Sequence, residues 1–294
     1  MERTEKRYEE LTITDDFMFG KVMRNPKHCK KLLEIILNVK IHKIEFIDDQ
    51  QTINPDYMAR GIRIDVYVED AANTVYSVEM QARNTGELPM RSRYYQSAVD
   101  INLIEKGTDY GLLKKSYVIF ICTFDLFGRG RAIYHFENLC REDPNIRLED
   151  GTEKIFLNTK GIRNARVPLE DVDKELCSLL DYFESLVPQD AFTGELDEAV
   201  AAAREHKEWR HEYMTLERMM MDSRREGKAE GKAEGKAEAV LQLLSELGEL
   251  TDILKERIQR ETDLKVLEKW LKAAARAESI SEFESRIDDK QIFE

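Results

Sequence analysis

The amino-acid sequence predicts an α/β protein in which a mixed sheet flanked by helices is followed by an all-helical C-terminal extension. Two stretches predict the sheet. Residues 63–83, RIDVYVEDAANTVYSVEMQAR, contain two runs of alternating polar and apolar residues around a polar turn, the pattern of a half-buried β-hairpin. Residues 116–127, SYVIFICTFDLF, form a continuous apolar run that is typical of a buried strand. From about residue 168, apolar residues recur at helical spacing, which predicts the extension.

Before the hairpin, the chain carries signals for two helices and a short strand. Residues 12–25 predict a first helix with Thr14 or Asp15 as its N-cap. Residues 26–38 predict a second helix with a broad apolar face. The segment 43–50 predicts a short strand.

After the hairpin, residues 87–107 predict a helix with Pro89 near its start and Gly107 past its end. Strands are predicted again at 131–137 and 153–158. Along this helix, an apolar line is expected from Tyr94, Ala98 and Ile101. A polar line is expected from Arg93, Gln96 and Asp100.

The C-terminal half is predicted to be helical, with a long polar helix at 195–225. Residues 226–238 are three copies of one tetrapeptide, EGKAEGKAEGKAE. Glycine at every fourth position and like charges four residues apart predict a marginal helix or a flexible connector, and the alternative is a tightly packed glycine face. Two amphipathic helices follow, as a helical hairpin or an oligomerisation element. We therefore expect an α/β domain at 1–190, a connector at 191–239 and a helical hairpin at 240–294.

Pairing the two runs of the hairpin puts one carboxylate on each strand. If Asp65 lies opposite Glu79, one face is wholly apolar and pairs Ile64 with Met80, Val66 with Val78, and Val68 with Tyr76. The other face then pairs Arg63 with Gln81, Asp65 with Glu79, and Tyr67 with Ser77. A slip by one residue would turn the carboxylates into the core, whereas a slip by two keeps the same faces.

Two interpretations of the paired carboxylates are open. Opposed carboxylates repel by roughly 0.2–1 kcal/mol on an exposed surface, and Arg63 can serve as their counter-charge on a solvated face. The alternative is a divalent-cation site, because Mg²⁺ binds one or two protein carboxylates and keeps waters for substrate phosphates. Gln81 would lie on the same face as Glu79, since side chains alternate along a strand.

Composition and charge limit the class of protein. The four cysteines lack CxxC pairing, which indicates reduced thiols in a cytoplasmic protein. We expect no signal peptide and no membrane span, because no long apolar run occurs. The net charge is −13, but residues 1–160 contain 24 basic and 26 acidic residues, so DNA binding by this part is not excluded.

Several separated motifs resemble the PD-(D/E)XK nuclease fold, in which an Asp on one strand and a Glu on its hairpin partner precede a helix and a buried strand. More narrowly, the chain resembles the recombination-promoting nuclease and transposase family of that superfamily. The resemblance spans roughly residues 10–240. It rests on TDDFMFGKVM (14–23), RIDVYV (63–68), YSVEMQ (76–81), RSRYYQ (91–96), SYVIFICTFDLF (116–127) and the Gly-Lys-Ala-Glu repeat.

The resemblance implies a restriction-endonuclease-like core at 1–190 and a DNA endonuclease that uses Mg²⁺, or Mn²⁺, and is linked to recombination or mobile elements. By motif, Asp65 and Glu79 would bind the metal. Gln81 stands where the superfamily usually has lysine, and a glutamine can hydrogen-bond but carries no charge. Asp16 would add an acidic group from the first helix, and its alternative role is helix capping with Asp15.

Further residues near these motifs are expected to reach the site or a phosphate: Arg93, Tyr95 and Gln96. Core packing is the alternative for Tyr94 and Tyr95. Arg83 and Arg91 are phosphate-contact candidates or solvated side chains. DNA is the expected partner, with a homo-oligomer formed through the C-terminal helices.

A different class of function also fits the sequence. A non-catalytic interaction protein that retains the nuclease scaffold is favoured by Gln81, by the near-neutral first half and by the acidic second half.

Overall fold

The computed structural model describes residues 6–47, 52–53, 62–104, 107, 109–165 and 172–288. The chain divides into two compact units, residues 1–211 and 212–294. This division lies between the two boundaries expected from the sequence, at 190 and at 239.

The first unit contains a six-stranded mixed sheet. The strands of the chain are β1 Ile44–Phe46, β2 Thr52–Ile53, β3 Ile62–Arg63, β4 Val66–Asp70, β5 Val75–Gln81, β6 Ser116–Cys122, β7 Ile133–Phe136 and β8 Thr152–Asn158. The order in the sheet is β1-β4-β5-β6-β8-β7, and β2 pairs with β3 separately. The pairs β5–β6 and β6–β8 are parallel, and the remaining pairs are antiparallel. This sheet and its flanking helices confirm the predicted fold class.

Five α-helices lie entirely within the described residues of the first unit: α1 Asp16–Met23, α2 Pro26–Leu37, α3 Leu88–Leu103, α4 Lys174–Ser185 and α5 Ala191–Arg204. Helix α3 packs on β6, and α1 packs on β5 and α5. The N-cap of α1 is Asp15, one of the two residues predicted. None of the helices in the described residues is long and apolar enough to cross a membrane.

The hairpin has the register that its sequence predicts. Strands β4 and β5 pair Val66 with Val78, Tyr67 with Ser77, and Val68 with Tyr76. The expectation of a half-buried hairpin is wrong, however, because α3 covers the face that was expected to be solvated. Tyr67 and Ser77 on that face are each 1% exposed, as buried as the apolar side chains on the opposite face. The Arg63 side chain lies outside the described part of the chain.

The predicted apolar line of α3 is right at Ala98 and wrong at Tyr94 and Ile101, and Gln96 of the predicted polar line is buried. Tyr94 and Ile101 are exposed, whereas Leu88, Tyr95, Ala98 and Val99 face the core. A spacing of seven residues from Leu88 to Tyr95 and four from there to Val99 defines this face. Because Tyr94 and Tyr95 are adjacent, the sequence alone does not show which of the two tyrosines faces the core.

The second unit is helical. Its helices are the C-terminal part of α6 Lys207–Ser245, α7 Asp252–Arg260, α8 Leu264–Ala274 and α9 Ile280–Asp288. The long polar helix predicted at 195–225 is interrupted between α5 and α6. The apolar stripes of the second unit pack against one another, so they do not require a second copy of the chain. Their buried residues include Val240, Leu244, Leu254, Ile258, Leu267, Trp270 and Phe283.

The tetrapeptide repeat lies inside α6, so of the two predicted alternatives it is a helix and not a flexible connector. The four-residue period puts Ala233 and Ala237 on one face, and both are buried in the apolar cluster of the second unit. Tertiary packing therefore offsets the low helix propensity of the glycines. A Cβ added at Gly227, Gly231 or Gly235 would meet no atom of the described residues within 4 Å, so no tightly packed glycine face occurs there.

Candidate active site

Five polar residues meet where β4, β5 and α3 come together: Asp65, Glu79, Gln81, Arg91 and Tyr95. The first immediately precedes β4, the next two lie near the end of β5, and the last two lie in the first two turns of α3. Glu79 and Gln81 share a face because strand side chains alternate. Arg91 and Tyr95 share a face because residues four apart are neighbours on a helix.

The two carboxylates are held by each other's strand. The Asp65 backbone N–H donates to Glu79 Oε1 at 3.0 Å, and the Met80 N–H donates to Asp65 Oδ2 at 2.9 Å. Asp65 is partly exposed, whereas Glu79 is 3% exposed. The solvated-face interpretation is therefore wrong for Glu79. Backbone donors aimed at both carboxylates stabilise two negative groups close together.

Arg91 joins the other polar residues of the site. Its Nη1 donates to Gln81 Oε1 at 3.0 Å, and its Nη2 donates to the Tyr95 hydroxyl at 2.9 Å. The same Nη2 lies 3.4 Å from Glu79 Oε2, and the Tyr95 hydroxyl donates to that oxygen at 3.4 Å. One guanidinium thus supplies a positive charge beside the uncharged Gln81.

Burial shifts the ionisation of these groups. Burial raises the pKa of Glu79 to about 8, although the Asp65 N–H and the Arg91 charge act in the opposite direction. Burial and the nearby Glu79 charge raise the pKa of Tyr95 to about 12. Burial alone would lower the pKa of Arg91, but its contacts with Tyr95 and Glu79 outweigh that effect and raise it. This shift favours the protonated form of Glu79 in the absence of a bound cation.

Helix α1 brings a third carboxylate toward the pair. Gly20 packs so closely that an added Cβ would lie 3.3 Å from the Asp65 carbonyl oxygen. Asp16 is four residues before Gly20, on the same side of α1, and is exposed. Its negative charge contributes to the raised pKa of Glu79. The N-cap is Asp15, whose carboxylate is bound by Thr12 and Lys6, so Asp16 does not hold the capping position.

Two residues expected near the site lie elsewhere. Arg93 is exposed, because it is two residues from Arg91 and points to the opposite side of α3. Gln96 donates to Asp100 Oδ1 at 3.0 Å and to Ser116 Oγ at 2.6 Å. Ser116 is four residues along β6 from the partner of Glu79, which is about 13 Å.

Of the two further arginines, Arg83 is exposed, whereas Arg91 belongs to the site. The spacing of Arg91 and Tyr95 in the sequence already indicates that the two side chains lie close together. A helix that begins near Pro89 places Arg91 on the same face as Tyr95, four residues later. Tyr95 has both expected roles, since its ring packs in the core and its hydroxyl faces Glu79.

A family model described as "PD-(D/E)XK nuclease family transposase" matches residues 15–237 of the chain. This match covers about three quarters of the sequence and includes every residue of the site. The chain belongs to the PD-(D/E)XK nuclease family transposases. Neither the curated proteins nor the solved structures gave a match to it.

Members of the PD-(D/E)XK nuclease superfamily generally use divalent metals. In the described part of this family member, no group of three or more His, Cys, Asp or Glu side chains is arranged to hold a metal ion. The donor chemistry nevertheless fits a hard cation, because Asp65 and Glu79 offer carboxylate oxygens and Asp16 adds negative charge.

Proposed function

We propose that this chain is a metal-dependent DNA endonuclease that hydrolyses phosphodiester bonds and acts in recombination or on mobile DNA. The observation that carries the proposal is the buried Glu79 beside Asp65, with both carboxylates fixed by backbone N–H groups and Arg91 next to them. Membership of a nuclease family supports the reaction class. Buried carboxylates with perturbed pKa values are typical of functional sites.

Asp65 and Glu79 would hold Mg²⁺ or Mn²⁺, with Asp16 as a third acidic group. A divalent metal in such a site polarises the scissile phosphate and lowers the pKa of a bound water. The chain's own contribution is to keep the two carboxylates in place on neighbouring strands. Metal binding requires that Glu79 release its proton, so the apparent affinity should rise with pH toward about 8.

Arg91 takes the place of the positive charge that Gln81 lacks. Its guanidinium contacts Gln81, Glu79 and Tyr95 at once, which fixes its position before substrate binds. A fixed cation beside the carboxylates stabilises negative charge that develops on a phosphate during hydrolysis. Gln81 then serves as a hydrogen-bond partner that orients Arg91.

The direct test is cleavage of a supercoiled plasmid with Mg²⁺ and with a chelator present. Wild-type protein should nick or linearise the plasmid in Mg²⁺, and Glu79→Gln should abolish the cleavage. Glu45→Gln is the matched control, because Glu45 is an exposed glutamate on the edge strand β1. Cleavage by Glu79→Gln at the wild-type rate would exclude Glu79 as a metal-binding group.

A second function is favoured by one observation. Arg91 already donates to Gln81 and lies 3.4 Å from Glu79 Oε2, so these polar groups find partners within the protein itself. A non-catalytic interaction protein would retain such a site as part of its scaffold. That function predicts no Mg²⁺-dependent rise in melting temperature and no cleavage by wild-type protein.

A further inference from the structure

The loop after β6 begins beside the candidate active site. This segment, residues 123–131 with the sequence TFDLFGRGR, is called the 123–131 loop below. The Thr123 N–H donates to the Gln81 carbonyl oxygen at 3.0 Å, and the Thr123 hydroxyl donates to the Ala82 carbonyl oxygen at 3.1 Å. The loop therefore leaves the sheet at the same carboxyl end where β5 carries Gln81, the kind of edge at which ligands bind in parallel sheets.

The loop folds back over the sheet face that carries Glu79. Glu79, Phe120 and Phe156 are paired in one row across β5, β6 and β8. The ring of Phe127, in the loop, packs edge-on against Phe156 with centroids 5.4 Å apart, and its centroid lies 4.7 Å from that of Tyr134. Phe156 is two strands from Glu79, which is about 10 Å.

Internal hydrogen bonds fix the conformation of the loop. The Asp125 carboxylate accepts the N–H groups of Gly128 and Gly130 at 3.0 and 2.7 Å and the Tyr134 hydroxyl at 2.9 Å. Both glycines have positive φ, 66° and 68°, which other residues rarely adopt. The Asp125 carboxylate thus accepts hydrogen bonds from the loop and from Tyr134 of β7.

The turn that follows β8 packs against the end of the 123–131 loop. The Asn158 side-chain amide donates to the Arg131 carbonyl oxygen at 3.0 Å. Gly161 packs so closely that an added Cβ would lie 2.5 Å from the Ala132 Cα. A cleft of about 520 Å³ lies between the two segments, and Lys160 is part of its lining.

Three positive side chains project from this supported edge: Arg129, Arg131 and Lys160. All three are exposed, and none of them forms an ion pair with a carboxylate in the described part of the chain. By contrast, the nearby Arg163 is bound to Asp181 at 2.6 Å. These three exposed cations lie at one edge of the sheet, although the net charge of the chain is −13.

We propose that Arg129, Arg131 and Lys160 bind the phosphate backbone of the DNA strand beside the phosphodiester that is cleaved. This inference rests on the proposed nuclease function and names the surface that holds its substrate. Phe156, on which the loop packs, lies about 10 Å across the sheet from Glu79, which corresponds to about three base steps at 3.4 Å each, so we expect the cations of this edge to meet phosphates beside the cleaved one. Exposed arginines and lysines on a fixed loop contact phosphates without reading the base sequence.

The test measures DNA binding without cleavage. Glu79→Gln protein and the same protein carrying Arg129→Gln and Arg131→Gln are titrated with a fluorescent DNA duplex, by anisotropy, over a series of salt concentrations. The loop variant should show a slope of log affinity against log salt that is shallower by about 1–2, and an affinity lower by roughly tenfold per lost contact at 0.1 M salt. The charge-matched control is Arg141→Gln with Arg147→Gln, beyond the opposite end of β8.

The outcomes separate this proposal from the proposed function. An unchanged slope and affinity in the loop variant, with plasmid cleavage by wild-type protein intact, would overturn the phosphate-binding role alone. An equal loss in the control variant would also overturn it, because the effect would then be one of total charge. If wild-type protein neither binds nor cleaves DNA, the proposed function fails as well.

Discussion

At the scale of single residues, the proposed hydrolysis depends on Glu79 and Arg91. Glu79 is buried, so its ionised form is stabilised by few partners: the Asp65 N–H, Arg91 and Tyr95. Arg91 is the nearest fixed positive charge, and it contacts three other residues of the site. The two side chains therefore set both the charge and the geometry that a substrate would meet.

Arg91→Gln should lower the cleavage rate by roughly 10²–10³-fold, the usual effect of removing one electrostatic donor from a reacting centre. Arg91→Lys should recover little of that loss, because a single ammonium cannot reproduce the forked contacts with Gln81 and Tyr95. The measurement is kcat for plasmid nicking in Mg²⁺. Arg93→Gln is the control, since Arg93 is an exposed arginine on the opposite side of the same helix. Equal rates for Arg91→Gln and the control would show that Arg91 has no part in the reaction.

Stability should respond to pH through Glu79. Its pKa is raised from an ordinary value near 4.5 to about 8. Between these values the unfolded chain has lost the Glu79 proton and the folded chain has kept it, so this group makes stability fall as pH rises. Glu79→Gln lacks that loss, so its stability relative to wild type should increase by at least about 1 kcal/mol between pH 5 and pH 8.

Urea unfolding of both proteins at several pH values measures this difference without added metal. A constant difference from pH 5 to pH 8 would mean that Glu79 ionises normally in the folded protein.

At the scale of secondary-structure elements, the sequence predicted what local patterns encode. The register of the hairpin was predictable because alternation and a short polar turn specify which residues are opposed. The burial of its polar face was not, since alternation does not say which helix will cover a strand. The sequence left the tetrapeptide repeat between a marginal helix and a connector, because glycine propensity counts against a helix, whereas the buried alanines at 233 and 237 that stabilise it are a matter of tertiary packing.

Two glycines give a matched test of this packing. Gly231→Ala, in α6, adds a Cβ that meets no described atom within 4 Å, so it should stabilise the second unit by about 0.5–1 kcal/mol. Gly161→Ala adds a Cβ 2.5 Å from the Ala132 backbone, so it should destabilise the first unit by about 1–3 kcal/mol. Chemical unfolding of the two variants tests both signs. A destabilising Gly231→Ala would indicate that the glycine face of the repeat packs against a partner.

At the scale of the whole molecule, the candidate active site lies within one of the two units. All strands of the six-stranded sheet and the candidate active site lie in residues 1–211. Of the residues in the candidate site, the family motif predicts Asp65, Glu79 and Gln81. Arg91 was marked in the sequence only by its spacing of four residues from Tyr95, and its contact with Glu79 depends on how α3 packs. The position of the 123–131 loop could not be predicted, because it depends on the return of the loop over the sheet.

A chain that ends at residue 225 should fold and cleave DNA, because the buried residues of α6 begin at Ala233. A chain that ends at residue 190 should be unstable, since it loses α5, whose Leu196 and Val200 are buried and whose Ala203 carbonyl accepts the Tyr8 hydroxyl. Circular dichroism melting and plasmid nicking check both chains. An unfolded 1–225 chain would contradict the independence of the first unit.

The role of Glu79 as a metal-binding group is tested most directly by calorimetric titration of Mn²⁺ into the full chain, in buffers of different ionisation enthalpy. With a pKa of about 8, Glu79 carries a proton at pH 7, so binding should release close to one proton at pH 7 and far less at pH 9. Glu79→Gln should show no binding of comparable affinity. Equal Mn²⁺ affinity in wild type and Glu79→Gln, or binding at pH 7 without proton release, would contradict the account.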